Sequence, residues 1–201
     1  MNLTLSEEQG AVIEIARKYA ESKLSPVAAR LDIGVNKEGD RMLFLKNLQG
    51  LAELGFMGMN VKAEYGGCEA GTVAFSLAIT EIARACASTA VTMSVTNMVG
   101  EVIQTIASEE QKNTYLPKLC SGEYAAGSFC LSEASAGSDP SRMKTSAVKI
   151  GDEWVLNGTK MWVSSAEYAG IFVVWAVTNS KVKKGKGISC FLVEADSPGI
   201  T

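Results

Sequence analysis

The sequence predicts an α+β protein, an all-α domain over residues 1–121 followed by a mainly antiparallel β domain over 122–201. Three observations carry that expectation. Up to Ser121 the apolar residues recur at three- and four-residue spacing, the pattern of amphipathic helices. Beyond Gly122 the period falls to two, and short apolar segments alternate with Gly-, Asp- and Asn-containing turns. Helices first and strands afterwards favour two separately packed units over a parallel βαβ sheet.

In chain order, Ser6-Glu7-Glu8-Gln9 has the form of a capping box. Val12, Ile13, Ala16, Tyr19, Ala20 and Leu24 then share a helical face, which Pro26 is expected to end. A short helical piece from Val27 to Leu31 leads into a polar turn, Gly34 to Asp40. Asp40 is the expected cap of a helix with Phe44, Leu45, Leu48, Ala52 and Leu54 on its apolar face, stopping at Gly55. The glycines of Glu64-Tyr65-Gly66-Gly67 exclude regular structure and allow close backbone approach. One long helix runs from Thr72 towards Cys86. Another starts near Ser88 and continues through Val91, Val95, Met98, Val102 and Ile106. A second capping box, Ser108 to Gln111, opens a helix that Pro117 is expected to close.

Strands are expected at Tyr124–Leu131, Thr145–Ile150, Glu153–Leu156, Thr159–Val163, Ile171–Val177 and Ile188–Val193. Gly151-Asp152 and Asn157-Gly158 are the hairpin signals between them. The chain stops at Pro198-Gly199-Ile200-Thr201, a turn and the start of another strand, which suggests a truncated sequence.

Composition narrows the function classes. The formal charge of −3, without a charged tail, argues against a nucleic-acid partner. A basic run at Lys181, Lys183, Lys184 and Lys186 is either a solvated loop or a contact to phosphates. Five cysteines, an odd number without a Cys-x-x-Cys pair, fit reduced thiols in the cytoplasm. Histidine is absent from the 201 residues, which removes His-dependent triads and the common His-containing metal sites. The first residues lack the basic lead and apolar core of a signal peptide. The longest apolar run, Gly170 to Val177, spans about eight residues and is too short for a membrane span.

Two segments stand out chemically. Phe129-Cys130-Leu131-Ser132-Glu133 passes into Ala134-Ser135-Ala136-Gly137-Ser138-Asp139, a loop of small side chains whose N–H groups can face an acceptor-rich ligand. Asn157-Gly158-Thr159-Lys160-Met161-Trp162-Val163-Ser164 adds an aromatic face and a second hydroxyl. Together these parts suit a planar heteroaromatic joined to phosphates. A plain surface loop beside a core tryptophan would carry the same composition.

The order of these residues closely resembles the flavin-binding signature of the acyl-CoA dehydrogenase family. Glu64-Tyr65-Gly66-Gly67, Ala85-Cys86-Ala87-Ser88, Glu109-Glu110-Gln111-Lys112 with Tyr115-Leu116-Pro117, and Gly187-Ile188-Ser189 with Phe191-Leu192-Val193 extend the resemblance over nearly the whole chain. It implies that this family's N-terminal and middle domains are present and its C-terminal helical bundle is absent. It implies FAD held by Phe129, Cys130, Leu131, Ser132, Gly137, Ser138, Trp162, Val163 and Ser164, with Trp162 packed on the ring. Ser138 would lie where the cofactor meets acyl-CoA, and Val91, Ser94, Val95 and Met98 would line the acyl pocket unless they are simple core. Two positions depart from the family. Ala134 stands where proline is usual, and serine replaces the common threonine at 132 and 164. A looser turn with the same contacts is expected.

The implied chemistry is α,β-dehydrogenation of an acyl-CoA thioester, most similar to short-chain members, with hydride passing to flavin N5. The family's base is a glutamate of the C-terminal domain, so no catalytic residue is assigned here. Glu133 is read as a structural carboxylate, and Glu64 is declined as well. The resemblance further implies an electron-transferring flavoprotein as acceptor and a homo-oligomer at full length. An acyl-CoA oxidase and a non-catalytic acyl-CoA- or partner-binding module remain open alternatives.

Overall fold

Ser6 caps the first helix as its pattern predicts. Its hydroxyl accepts the Gln9 N–H at 3.1 Å while the Gln9 side chain accepts the Ser6 N–H at 3.0 Å. The computed structural model describes residues 4–34 and 37–201. Met1, Asn2 and Leu3, and Val35 and Asn36 of the expected polar turn, lie outside the described residues. The chain divides into two compact units, Met1–Ala126 and Gly127–Thr201.

In the first unit α1 (Glu7–Tyr19) does not stop at Pro26. It passes through a π-helical turn, Ala20–Leu24, into α2 (Ser25–Ile33), closed by Gly34 in the left-handed conformation. The wider turn brings Pro26 into the first turn of α2, where the missing N–H has no intrahelical partner to lose. Leu24, fully buried, holds this junction in place.

Asp40 is not a cap either. It lies inside α3 (Lys37–Glu53), buried, and accepts from the Arg30 guanidinium of α2 at 2.7 Å. Phe44, Leu48, Leu51 and Ala52 turn inward from the same helix, whereas Leu45 is only part-buried and Leu54, beyond the helix end, is exposed, so the expected apolar face is corrected at both positions.

The stretch after α3 is irregular yet densely buried, with Phe56, Met57, Met59 and Val61 almost inaccessible. It pairs with the Gly66-Gly67 segment: the N–H groups of Cys68, Glu69 and Ala70 donate to the carbonyls of Gly58, Val61 and Met59. Any side chain at Gly67 would overlap the Val61 carbonyl, so the glycine is required for that approach.

Two long helices follow, α4 (Gly71–Ala85) and α5 (Ala87–Ile106), separated by the single extended residue Cys86. The buried stripe of α5 is not the one its valines suggest. Thr89, Met93, Thr96, Asn97, Val99 and Ile103 are inside, whereas Val91, Met98 and Ile106 are exposed. Asn97 explains the shift, because it is buried to satisfy backbone groups: it accepts from Met59 N–H and donates to the Phe56 and Met93 carbonyls.

Helix α6 (Glu109–Ser121) carries Pro117 in its interior instead of ending there. Burial of Leu116, Leu119 and Cys120 offsets the lost backbone bond, and Gly122 ends the helix. Among the described residues, no helix is long and apolar enough to cross a membrane.

The second unit is built on β1 (Ala126–Cys130), β2 (Ser146–Ile150), β3 (Glu153–Asn157), β4 (Ala169–Val177) and β5 (Ile188–Glu194). Their order is β1-β4-β2-β3, with β5 also pairing with β4. β4 and β5 are antiparallel from Ile171↔Glu194 to Val177↔Ile188, and β2 and β3 from Ser146↔Asn157 to Ile150↔Glu153. β2 meets β4 in parallel only at Ser146↔Val177. The sheet is thus mainly antiparallel, as the sequence predicts.

Gly151-Asp152 forms the tight β2–β3 connection. Asn157-Gly158 does not make a hairpin, because residues 159–163 are not a strand. A side chain at Gly158 would clash with Thr145, so the glycine serves close passage past β2's start.

Candidate functional site

The absent strand at 159–163 is explained by what its residues do instead. Lys160, nine-tenths buried, turns inward and donates to Glu133 Oε1 at 2.9 Å and to the Leu131 carbonyl at 3.2 Å. The Met161 N–H donates to the Ser132 carbonyl at 2.8 Å, and the Ser128 hydroxyl to the Ser164 carbonyl at 2.7 Å. The two segments singled out in the sequence are therefore tied to each other by three hydrogen bonds, and Ser128, just ahead of the first, adds a fourth.

Glu133 is the centre of this lock. It also accepts the N–H groups of Lys144 at 2.6 Å and Thr145 at 2.9 Å, and the Thr145 hydroxyl. Burial alone would raise its carboxyl pKa, but the hydrogen bonds from Thr145, Lys144 and Lys160 outweigh that and hold it down at about 2. The carboxylate is ionised and fully engaged, the behaviour of a structural group and not of a base.

A folded-state value below the ordinary 4.5 means stability that is present above pH 4.5 and lost as pH falls towards 2, about 3 kcal/mol in all. Tryptophans 154, 162 and 175 all lie in the second unit, so their fluorescence during urea unfolding reports it directly. The expected result is a midpoint that drops steeply between pH 4.5 and 2.5. A Glu133 carboxyl resonance titrating at the usual ~4.3 contradicts it.

The turn after Glu133 is tight, not loose. Glu133 and Ala136 exchange both backbone hydrogen bonds, at 3.1 and 3.0 Å, so proline is not needed at position 134. It follows that Ala136, buried, spends its N–H inside the loop; Gly137 and Ser138 are exposed.

Beside the lock lies a cleft of about 710 Å³. Its floor is apolar: Cys130, Val163, Phe172, Val174 and Val193. Thr145, Thr159, Lys160 and Glu167 give it a polar rim, and Gly199 to Thr201 form part of its wall. Burial pushes the Cys130 thiol up to about 11, so it is an apolar wall residue and not a nucleophile.

Of the predicted cofactor residues, Cys130 and Val163 line this cleft. Phe129, part-buried, packs against Trp175 with ring centroids 6.1 Å apart. Leu131, Ser132 and Ser164 are part-buried along the locked segments. Trp162 is no core residue: it is 89% exposed and holds a positive φ of 59°, rare for a bulky side chain.

In the first unit, Val91 and Met98 are exposed and Ser94 and Val95 part-buried, so this face of α5 is not core. Thr145, Lys160 and Phe172 were missed by sequence reasoning. Lys160 was visible only as one residue of a motif, with nothing to signal its inward turn.

Comparison with known proteins gives a consistent outcome. Residues 6–123 match the family model for the acyl-CoA dehydrogenase N-terminal domain, and residues 128–201 that for the acyl-CoA dehydrogenase middle domain. The chain is 39% identical to the mitochondrial short/branched chain specific acyl-CoA dehydrogenase of Bos taurus, over 98% of this chain and 44% of that protein. The structure is similar to butyryl-CoA dehydrogenase from Megasphaera elsdenii, with a TM-score of 0.86 and 31% identity, covering 99% of this chain and 51% of that one. It is also similar to a glutaryl-CoA dehydrogenase from Mycobacterium smegmatis in complex with FADH2, with a TM-score of 0.83 and 32% identity, covering 98% and 48% respectively. The chain spans about half the length of the curated relatives it matches.

Proposed function

The chain belongs to the acyl-CoA dehydrogenase family, and from that premise we propose that the full-length protein is an FAD-dependent dehydrogenase of a short acyl-CoA thioester. The observation that carries this reading is the lock itself. Lys160 and Glu133 join the two signature segments at the edge of an apolar cleft with a polar rim.

The residues present fit a flavin. Trp162 offers an uncovered aromatic face, Ser132 and Ser164 offer hydroxyls on the two joined segments, and exposed Gly137 and Ser138 leave room for phosphates. When bound, FAD supplies the two-electron acceptor that takes the β hydrogen as hydride.

The chain's own part is to orient and to exclude water. An apolar floor lowers the local dielectric, so donors aimed at the thioester carbonyl gain strength and acidify the α C–H. Ser138 is assigned to the meeting point of cofactor and substrate. Val91, Ser94, Val95 and Met98 are assigned to the acyl chain, a role open to a helix face that is not core.

Glu133 is unsuited to take the α proton, since its bonds to Lys144, Thr145 and Lys160 are structural and its carboxyl is held down at about 2. Glu64 is a surface group paired with Lys62 at 3.3 Å. The base is therefore assigned, as the resemblance implies, to a glutamate beyond residue 201. An electron-transferring flavoprotein is the assigned acceptor, and the full-length protein is assigned to a homo-oligomer. Five free thiols support a reducing compartment such as the cytoplasm.

The full-length protein is expected to purify yellow and to bleach on anaerobic addition of butyryl-CoA, without forming peroxide in air. Peroxide during turnover would favour an oxidase. A colourless protein that takes up no FAD sinks the reading. The 201 residues alone are expected to show no dehydrogenation.

A further inference from the structure

Ser128 sits in the middle of β1 and is 0% exposed. Strand alternation puts it on the same face as Cys130, which with Ala169 and Phe172 forms the cluster that Val163 packs against. A buried hydroxyl costs free energy unless it is bonded, so an apolar residue would suit that position better. The hydroxyl is bonded, and its bond leaves the sheet: Oγ donates to the Ser164 carbonyl at 2.7 Å, 36 positions along the chain.

The backbone around that carbonyl is unusual. Trp162 and Ser165 both hold positive φ, 59° and 65°, a conformation that is costly for any residue with a side chain and persists only where neighbouring contacts fix it. Ser164 stands between them. Ahead of Trp162, the Met161 N–H is fixed on the Ser132 carbonyl at 2.8 Å; at Ser165, the carbonyl accepts the Tyr168 N–H at 2.9 Å. Ser128 supplies the tie in the middle. Trp162 is 89% exposed, so packing of its own side chain does not set its direction, and the backbone must. Removal of the Ser128 hydroxyl would take this donor from the Ser164 carbonyl and let residues 162–165 relax towards ordinary φ.

We infer that Ser128 is a positioning residue for the flavin, holding Trp162 and the Ser164 hydroxyl in place through the Ser164 carbonyl without touching the cofactor itself. This rests on the dehydrogenase reading above. The competing role is that of a serine that only completes the sheet, and the two roles differ in what they do to flavin affinity.

The experiment uses the full-length protein, stripped of flavin and titrated with FAD, as wild type, Ser128→Ala and Ser128→Cys. Thr178→Val is the control, because it removes a part-buried hydroxyl, bonded to that of Ser189 at 2.8 Å, elsewhere in the same unit. Urea unfolding of the flavin-free proteins measures the stability each variant loses. Ser128→Ala is expected to bind FAD roughly tenfold more weakly, the worth of one hydrogen bond, with a shifted visible band of the bound flavin. Ser128→Cys, close in size and with a weak S–H donor, is expected to fall between wild type and alanine, and it carries the test should the alanine variant not fold. Thr178→Val is expected to lose stability and bind FAD as wild type does. Wild-type affinity and spectrum in both Ser128 variants, or an equal loss of affinity in Thr178→Val, overturns the inference. Failure of both Ser128 variants to fold overturns it too, since the serine is then a structural residue. A wild-type protein that takes up no FAD refutes the dehydrogenase reading and this role with it, whereas yellow variants of unchanged affinity refute only the role of Ser128.

Discussion

Replacing Lys160 with methionine removes about 3–5 kcal/mol from the second unit and abolishes flavin uptake by the full-length protein. Glu133 would be left buried with its charge uncompensated, because its remaining donors are two backbone N–H groups and one hydroxyl. Removing one partner of a buried pair is far more harmful than replacing both. The double variant Lys160→Met with Glu133→Gln should therefore recover part of the stability, since no buried charge remains and Gln still offers an acceptor to Thr145. Tryptophan fluorescence in urea measures the first effect, and absorbance of bound flavin the second. A Lys160→Met protein that unfolds at the wild-type midpoint and purifies yellow would show that the lock neither stabilises the unit nor organises the site.

The second large effect is expected in the helical unit. Asn97→Leu keeps the branched outline, with bulkier methyl groups in place of the amide, but leaves the Met59 N–H and the Phe56 carbonyl buried without their partner, a loss of about 2–5 kcal/mol. The irregular stretch at 56–61 would lose its buried tie to α5 and keep only the outer bonds of Asn60 to Glu101 and Gln104, so the buried methionines there would loosen together. All the α-helices described lie in the first unit, and helical circular dichroism during urea unfolding follows it. Asn97→Asp, which retains the acceptor for Met59 N–H but loses the donor to Phe56, should fall between wild type and Asn97→Leu. Equal midpoints for all three would mean that water or neighbouring groups satisfy those atoms.

Local signals in the sequence were dependable where the chemistry is local. Both capping boxes form as their residues dictate, because Ser6 with Gln9 and Ser108 with Gln111 need no distant partner. The change of period near residue 122 locates helices and strands for the same reason. Proline was misleading twice. Pro26 and Pro117 were expected to stop helices, yet burial of Leu24, Leu116 and Leu119 decides those junctions, and burial depends on residues far away in sequence.

The stripe of α5 was misjudged because valine signals burial more strongly than threonine or asparagine does. Asn97 is inside only because the backbone at Met59 and Phe56 comes to meet it. At the candidate site, the two segments were legible as a pair, but their fastening was not. Residues 159–163 alternate like a strand, and nothing local reveals that Lys160 finds a carboxylate 27 positions away. The left-handed backbone of Trp162 was likewise hidden, whereas its open aromatic face was one of the two readings its motif allowed.

The most direct test of the flavin wall is a crystal structure of the full-length protein grown with FAD. The predicted result is ring density against Trp162, bordered by Ser132 and Ser164, with Lys160 still on Glu133. Flavin density remote from both locked segments, with Trp162 folded over its own loop in the place assigned to the ring, would contradict the account.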